Sequence, residues 1–150
     1  MADLHLDYDP PLRVRRMPSW LVGQVGQRAQ ALVAEALAGE GMRRQHFTVL
    51  TSLAEQGEAS QAALGRRLWI DPSDLHAIVG DLERDGLIAR ARDPEDKRRN
   101  VVRLTAAGRA MLKRLDTLID GAQRDLLSPL SVRDRRQFVR FLERLVEASR

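Results

Sequence analysis

Asp71-Pro72 fixes the start of a helix in the middle of this 150-residue chain. Asp71 suits the N-cap, and Pro72 suits the first helical position because a proline there loses no hydrogen bond and its φ is already helical. Asp74 falls at the third helical position, from which a carboxylate can reach back to the cap. Because Gly86 ends the apolar periodicity, we predict a helix over about 72–85.

The segments around this helix have the order of a winged helix-turn-helix. A helix over about 43–56 and a short helix over about 61–68 precede it, and a tight turn joins the short helix to it. Two strand-like segments follow, about 87–92 and 100–105, and the residues between them form a charged turn. This order of helix, short helix, turn, helix and hairpin is typical of a winged helix-turn-helix, in which the hairpin is the wing.

Long amphipathic helices flank the motif. Apolar residues recur at three- and four-residue spacing over about 18–38 and about 106–127, and a capping pattern at Ser131 and Asp134 starts a last helix. The prolines before residue 19 predict a non-helical start. The apolar stripes of the first and last helices are wider than one subunit of this size can cover, so we predict a homodimer joined across a two-fold axis.

The predicted fold class is mainly α: a winged helix-turn-helix with a small β-hairpin wing, flanked by N- and C-terminal dimerisation helices. We predict a single domain over 1–150. The dimerisation helices take up about 18–40 and 106–150 of it, and the DNA-binding lobe takes up about 43–105.

The composition excludes several function classes. The chain has no cysteine, which excludes disulfides, thiolate zinc sites, cysteine nucleophiles and thiol redox switches. No apolar run approaches the ~20 residues of a membrane span, and the N-terminus lacks the basic-then-apolar order of a signal peptide. We therefore expect a cytoplasmic protein without a membrane partner. The net charge of +4 is weak support for a polyanionic partner, and its basic excess lies in the C-terminal half.

The helix that begins at Pro72 would bury one stripe and expose a face of small and polar residues. Such a face lets a helix enter a major groove about 12 Å wide. The basic turn of the hairpin can enter the minor groove or bind phosphates, and the start of the short helix offers free N–H groups to a phosphate. The predicted DNA-binding residues are Ser60, Gln61, Ser73, Asp74, His76, Ala77, Gly80, Arg84, Lys97, Arg98 and Arg99.

Several of these residues have a simpler interpretation. The basic run could be a solvated turn, and capping alone would explain Ser60. Asp74 is either a capping carboxylate or an acceptor for the amino group of cytosine. His46, beside the apolar Phe47, fits a core or interface histidine. No two histidines have the spacing of metal ligands, so we expect neither a metal nor another cofactor.

Five stretches resemble MarR-type transcriptional regulators: Gln45 to Leu50, Ser60 to Gly65, Asp71 to Ser73, Leu82 to Arg90, and Asp93 to Gly108. The last is the most specific, since an Asp and an Arg two residues apart are followed by an apolar strand that closes in Leu-Thr-x-x-Gly. The resemblance implies a homodimer with two winged lobes and a near-palindromic double-stranded operator. It gives Arg98 the role of the wing-tip arginine and Asp96 the role of the partner that orients it.

The resemblance also implies a mode of action. MarR-type regulators mostly act as repressors that occlude promoters, and many hold an effector between the dimer helices and the DNA lobe. The effector implied here is a small aromatic or lipophilic molecule, with Trp20 and His46 as ligand-binding residues. The alternatives are a ligand-independent regulator or an activator, and a winged helix used for protein interaction.

The sequence does not indicate an enzyme. It has no Gly-rich phosphate loop, no GxSxG motif and no cysteine. Glu95 and Asp96 could resemble a carboxylate pair for acid–base work, but they lie on a predicted exposed tip, where little would shift their pKa values. We therefore expect no catalytic residue.

Overall fold

The computed structural model describes residues 9–93 and 95–149. Within them the chain forms seven helices and a two-stranded antiparallel sheet. The elements are α1 (Leu12–Arg15), α2 (Pro18–Ala38), α3 (Arg44–Gln56), α4 (Gln61–Leu68), α5 (Pro72–Arg84), β1 (Ile88–Arg92), β2 (Asn100–Leu104), α6 (Ala106–Leu126) and α7 (Val132–Glu147).

The predicted mainly helical fold with its helix-turn-helix and hairpin wing is confirmed, but the predicted non-helical start is wrong. α1 forms a single turn, in which the N–H groups of Val14 and Arg15 donate to the carbonyl of Pro11. The prolines do not prevent this, because Pro11 caps α1 and Pro18 begins α2. A proline before a helix or at its first position removes no helical hydrogen bond.

The hydrophobic core lies where α3, α4, α5 and the hairpin meet the C-terminal half of α2 and the middle of α6. Burial of such aliphatic side chains is the main favourable term in folding. The largest fully buried side chains are Leu37, Val49, Leu50, Leu64, Leu75, Val79, Leu82, Ile88 and Leu115.

The turn between α4 and α5 is tight. Leu75 and the carbonyl of Ile70 approach Gly65 so closely that a Cβ there would lie 3.4 Å from each. Trp69 ends α4 in the left-handed region, with φ +53° and ψ +42°. This conformation is uncommon for a bulky residue and is usually taken by glycine at this position of a helix end.

Asp71 caps α5 as predicted, since its Oδ1 accepts the N–H of Ser73 at 2.8 Å. The hydroxyl of Ser73 donates to the same oxygen, and this bond holds the pKa of Asp71 below its ordinary value. Asp74 does not reach back to the cap: its carboxylate forms no hydrogen bond with the described residues. The bond from the Asp71 N–H to the Asp74 carboxylate that would complete a capping box is therefore not formed. Asp74 still lies in the first turn of α5, where a carboxylate interacts favourably with the helix dipole.

The wing is rooted on α6. β1 and β2 pair from Ile88 with Leu104 to Arg92 with Asn100. The hydroxyl of Thr105 donates to the carbonyl of Leu87 at 2.9 Å and accepts the N–H of Gly108 at 3.0 Å. A Cβ on Gly108 would lie 2.0 Å from the Leu87 carbonyl oxygen, so only glycine fits the close approach of α6 to the wing.

α7 is the exception to this packing, since none of its described residues is buried within the chain. The first half of α2 is similar. The large apolar side chains that these two segments expose are Leu21, Val22, Val25, Val132, Val139, Phe141, Leu142, Leu145 and Val146. Within the described residues, no helix is long and apolar enough to cross a membrane.

Candidate nucleic-acid interface

The outward face of α5 is nearly flat. Ser73, His76 and Ala77 are exposed and Gly80 is half-buried, and they follow one another at helical spacing. A Cβ on Gly80 would meet no atom within 4 Å, so no neighbouring side chain covers the helix surface at this point. Such a surface can lie against the base edges of a major groove without steric conflict.

Arg84 lies at the far end of the same helix. Its two terminal nitrogens each donate to Oδ1 of Asp81 at 3.2 Å. Bases are read mainly from the N-terminal part of a recognition helix. Arg84 is thus paired with Asp81 of the same helix and lies at the opposite end of α5 from Ser73.

The start of α4 is capped from within the chain. The Ser60 hydroxyl accepts the N–H of Ala63 at 3.2 Å, as the capping explanation requires. Gln61 follows it and is half-buried. The remaining free N–H groups of this helix end are oriented for an acceptor from outside the chain.

The wing tip is held by its own backbone and by Asp96. The Asp96 carboxylate accepts the backbone N–H of Arg98 at 3.0 Å, and the Asp96 carbonyl accepts the N–H of Arg99 at 2.9 Å. Arg92 donates to the Lys97 carbonyl at 2.7 Å. Asp96 therefore positions Arg98 through the main chain and not through an ion pair with its guanidinium.

The wing leaves three cations free. The side chains of Lys97, Arg98 and Arg99 are exposed, and none forms an ion pair with another of the described residues. Three unpaired cations at the end of a rigid hairpin are suited to the phosphates of a nucleic acid.

Asp81 lies at the centre of a polar network. Its Oδ2 lies 3.2 Å from Nη2 of Arg43 and 3.3 Å from Nε2 of His46, and its Oδ1 binds Arg84. The hydrogen bond from His46, and after it the contact with Arg84, holds the pKa of Asp81 below its ordinary value. The network attaches the recognition helix to the start of α3.

His46 is neutral in this network. Its ring is 4% exposed, and burial lowers its pKa, which the hydrogen bond to Asp81 opposes without reversing. Nδ1 accepts the N–H of Arg43 at 3.0 Å, so the ring proton is on Nε2 and points to Asp81. The sequence did not predict this network, because His46 and Asp81 are 35 residues apart and only the Asp81–Arg84 spacing is a local pattern.

Comparison with known proteins relates this geometry to a family. A sequence profile of the MarR family matches residues 40–99, which include α3, α4, α5 and part of the wing. The HTH-type transcriptional repressor Rv2887 of Mycobacterium tuberculosis is 30% identical over 126 residues, which are 84% of this chain and 91% of the relative. The chain belongs to the MarR family. It is a DNA-binding transcriptional regulator with a winged helix-turn-helix.

Solved MarR-family structures agree with this fold. A probable transcriptional regulator from Pseudomonas aeruginosa is 34% identical, with a TM-score of 0.75 over 89% of this chain and 99% of that chain. Rv2887 in complex with DNA is 29% identical, with a TM-score of 0.74 over 91% of this chain and 98% of that chain. CouR from Rhodococcus jostii RHA1, bound to p-coumaroyl-CoA, is 25% identical, with a TM-score of 0.72 over 90% and 95%.

The two residues expected to bind an effector in this MarR-family protein lie apart. Trp20 is half-buried near the start of α2, whereas His46 follows the end of that helix. Both ring nitrogens of His46 are hydrogen-bonded inside the lobe. Within the described chain, therefore, His46 is engaged by Arg43 and Asp81, and no hydrogen bond joins it to Trp20.

Proposed function

We propose that this MarR-family regulator is a dimeric, sequence-specific repressor and not an enzyme. It would read a near-palindromic operator with α5 in the major groove and the wing on the backbone or in the adjacent minor groove. The observation that carries this proposal is the wing tip, whose three cations have no ion-pair partner in the described chain. Rv2887, solved in complex with DNA, supports it.

The predicted residues divide into three roles. Gln61 and the N–H groups at the start of α4 would bind phosphate, and so would the wing cations Lys97, Arg98 and Arg99. Ser73, His76, Ala77 and Gly80 would face bases, with Asp74 at the edge as an acceptor for cytosine. Ser60, Arg84 and Asp96 would support these contacts, since each is engaged inside the chain.

A second copy of the chain would complete the molecule. α7 exposes Phe141, Leu142 and Leu145, with 47%, 37% and 60% of their surface in solvent. Such a stripe favours an isologous interface in which α7 and the first half of α2 meet their counterparts. Two lobes related by that axis would match an operator with two-fold symmetry.

We further propose that a small aromatic or lipophilic effector releases the repressor from DNA. CouR, which has the same fold, was solved with p-coumaroyl-CoA. Trp20 remains a candidate effector contact, because it lies on α2 next to the exposed apolar residues Leu21 and Val22. His46 is no longer proposed as an effector contact, because the ligand would have to displace the hydrogen bonds that hold its buried ring.

The proposal is tested by measuring DNA affinity at several salt concentrations, with an operator selected from fragments of the host genome and with a random duplex. Arg98→Ala should weaken binding to both duplexes and reduce the log–log salt slope, because each neutralised phosphate contributes about −0.9. Two wings would lower the slope by up to roughly 2. Arg124→Ala, on the last turn of α6, is the matched control. An unchanged slope for Arg98→Ala would show that the wing does not bind phosphate.

A further inference from the structure

Trp69 is the most exposed large apolar residue of the described chain, with 95% of its surface in solvent. It is also the one described residue other than glycine that has a positive φ. A tryptophan in this conformation contributes nothing to the core and carries a conformational cost that glycine would avoid. A stabilising role within the chain therefore does not explain why position 69 holds a tryptophan.

The surroundings of Trp69 indicate what the indole meets. The turn that contains it runs directly into α5, and an open groove of about 440 Å³ lies between α4 and α5 beside it. Gln61 and Arg66 of α4 border this groove, and Ile70, Pro72 and Leu75 form its apolar floor. The groove thus connects the start of α4 with the start of α5.

The charges near the turn favour an anion on the α4 side. Arg66 is exposed and has no ion-pair partner among the described residues. Arg67 is exposed as well, and it donates one hydrogen bond to Ser52. On the α5 side, the exposed carboxylates of Asp71 and Asp74 would repel an anion, although that of Asp71 is held by the N–H of Ser73.

We propose that Trp69 and the adjoining groove bind the sugar–phosphate backbone of the DNA that flanks the major groove entered by α5. The indole N–H donates to a phosphate oxygen, the ring packs against deoxyribose, and Arg66 neutralises the same strand. This inference rests on the proposed placement of α5. It extends the interface to a residue that the recognition helix and the wing do not include.

Fluorescence gives a direct test, because the chain contains two tryptophans. In the Trp20→Phe variant all tryptophan emission comes from Trp69. We expect strong quenching by acrylamide in the free protein, and protection together with an emission shift on addition of duplex DNA, in step with binding measured by anisotropy of labelled DNA. Trp69→Phe, which retains Trp20, is the matched control.

The outcomes separate this inference from the proposed function. If anisotropy shows binding while Trp69 stays open to acrylamide, the inference is wrong and the function stands. If no duplex binds, both are wrong. If Trp69 is protected without DNA in a manner that depends on protein concentration, a protein surface covers it and the inference is wrong.

A second variant excludes a purely structural role. Trp69→Gly removes the cost of the positive φ, so its unfolding temperature should be equal to or above that of the parent. Its affinity for DNA should fall by roughly 2- to 12-fold per half-site, as for the loss of one hydrogen bond, with an unchanged salt slope. Arg66→Ala should instead lower that slope by about 0.9 per subunit. Parent-like DNA affinity of Trp69→Gly would overturn the inference.

Discussion

The DNA-binding lobe and the flanking helices differ in where their apolar side chains find partners. α3, α4 and α5 each bury side chains against one another and the hairpin, whereas α7 buries none. The lobe is thus determined by contacts within one chain, which also hold its recognition helix through Asp81. The first half of α2 and the whole of α7 have an apolar face that only another molecule can cover.

The largest expected effect comes from breaking the proposed contacts between the flanking helices of two subunits. Phe141→Glu combined with Leu145→Glu should give a monomer, because carboxylates replace an apolar stripe at the proposed interface. DNA affinity should fall by about 100-fold or more, since two linked lobes bind far more tightly than one. Sedimentation velocity and anisotropy measure the two effects.

The lobe should be intact in this double variant, since both residues are exposed in the single chain. Circular dichroism in the near ultraviolet would check this. Arg140→Gln, on the opposite face of α7, should stay dimeric and is the control. A double variant that remains dimeric at micromolar concentration would contradict the proposed interface.

The second prediction concerns the joint between the two regions. Gly108→Ala places a methyl group 2.0 Å from the Leu87 carbonyl oxygen, so α6 and the wing must separate. We expect a loss of about 1–3 kcal/mol in the free energy of unfolding, measured by urea denaturation.

Gly80→Ala is the matched comparison in open space. Because alanine is the better helix former, this change should stabilise the fold by about 0.5–1 kcal/mol. If α5 enters the major groove, the added methyl group should nevertheless weaken operator binding. Equal stability of the two alanine variants would disprove the close approach at Gly108.

The third prediction sharpens the assignment of roles within the lobe. His76 has the reach and the polar atoms to contact a base edge from the middle of α5. His76→Ala should reduce the preference for operator over random duplex by roughly 1–3 kcal/mol per half-site contact, with little change in non-specific affinity. Equal losses on both duplexes would exclude base reading by His76.

The smallest effect concerns the network behind α5. Because the pKa of His46 in the folded protein lies below its ordinary value of 6.5, the unfolded chain binds this proton more readily than the fold does. The contribution of His46 to stability is therefore present above pH 6.5 and is lost as the pH falls toward the lowered value. His46→Gln should flatten that part of the stability profile, and an unchanged slope would contradict a buried neutral ring.

The lowered pKa of Asp81 acts in a separate range. Its contribution is present above the ordinary pKa of 3.8 and is lost as the pH falls through the lower value in the fold. Urea denaturation between pH 7 and pH 3 would resolve the two transitions, with Asp81→Asn as the variant that lacks the second.

Most elements could be predicted because their ends carry local signals. Ser60, Asp71, Thr105 and Ser131 are N-caps in the structure, and each was visible as a short polar residue before a periodic apolar run. The exposed apolar stripe of α7 followed from periodicity in the same way.

The remaining features depend on contacts that have no local pattern. Asp81 pairs with Arg43 and His46, which are distant in the sequence, and the single-turn helix α1 forms where the prolines predicted a non-helical start. Trp69 was not singled out, because a tryptophan between two helices is usually buried and nothing in the sequence reports its left-handed backbone. At Asp71 the sequence has the pattern of a capping box, but the structure forms only the bond to the Asp71 side chain and not the return bond to Asp74.

The glycine contact at the base of the wing has a mechanical consequence. Thr105 and Gly108 hold the base of the hairpin in close contact with the first turn of α6, so we expect the wing and this helix to move together. In a two-fold pair of subunits, the spacing of the two wing tips would then follow from the angle at which the two α6 helices cross. A small tilt of the two α6 helices would then produce a larger displacement of the wing tips. Such a displacement would determine whether the dimer binds an operator with altered half-site spacing.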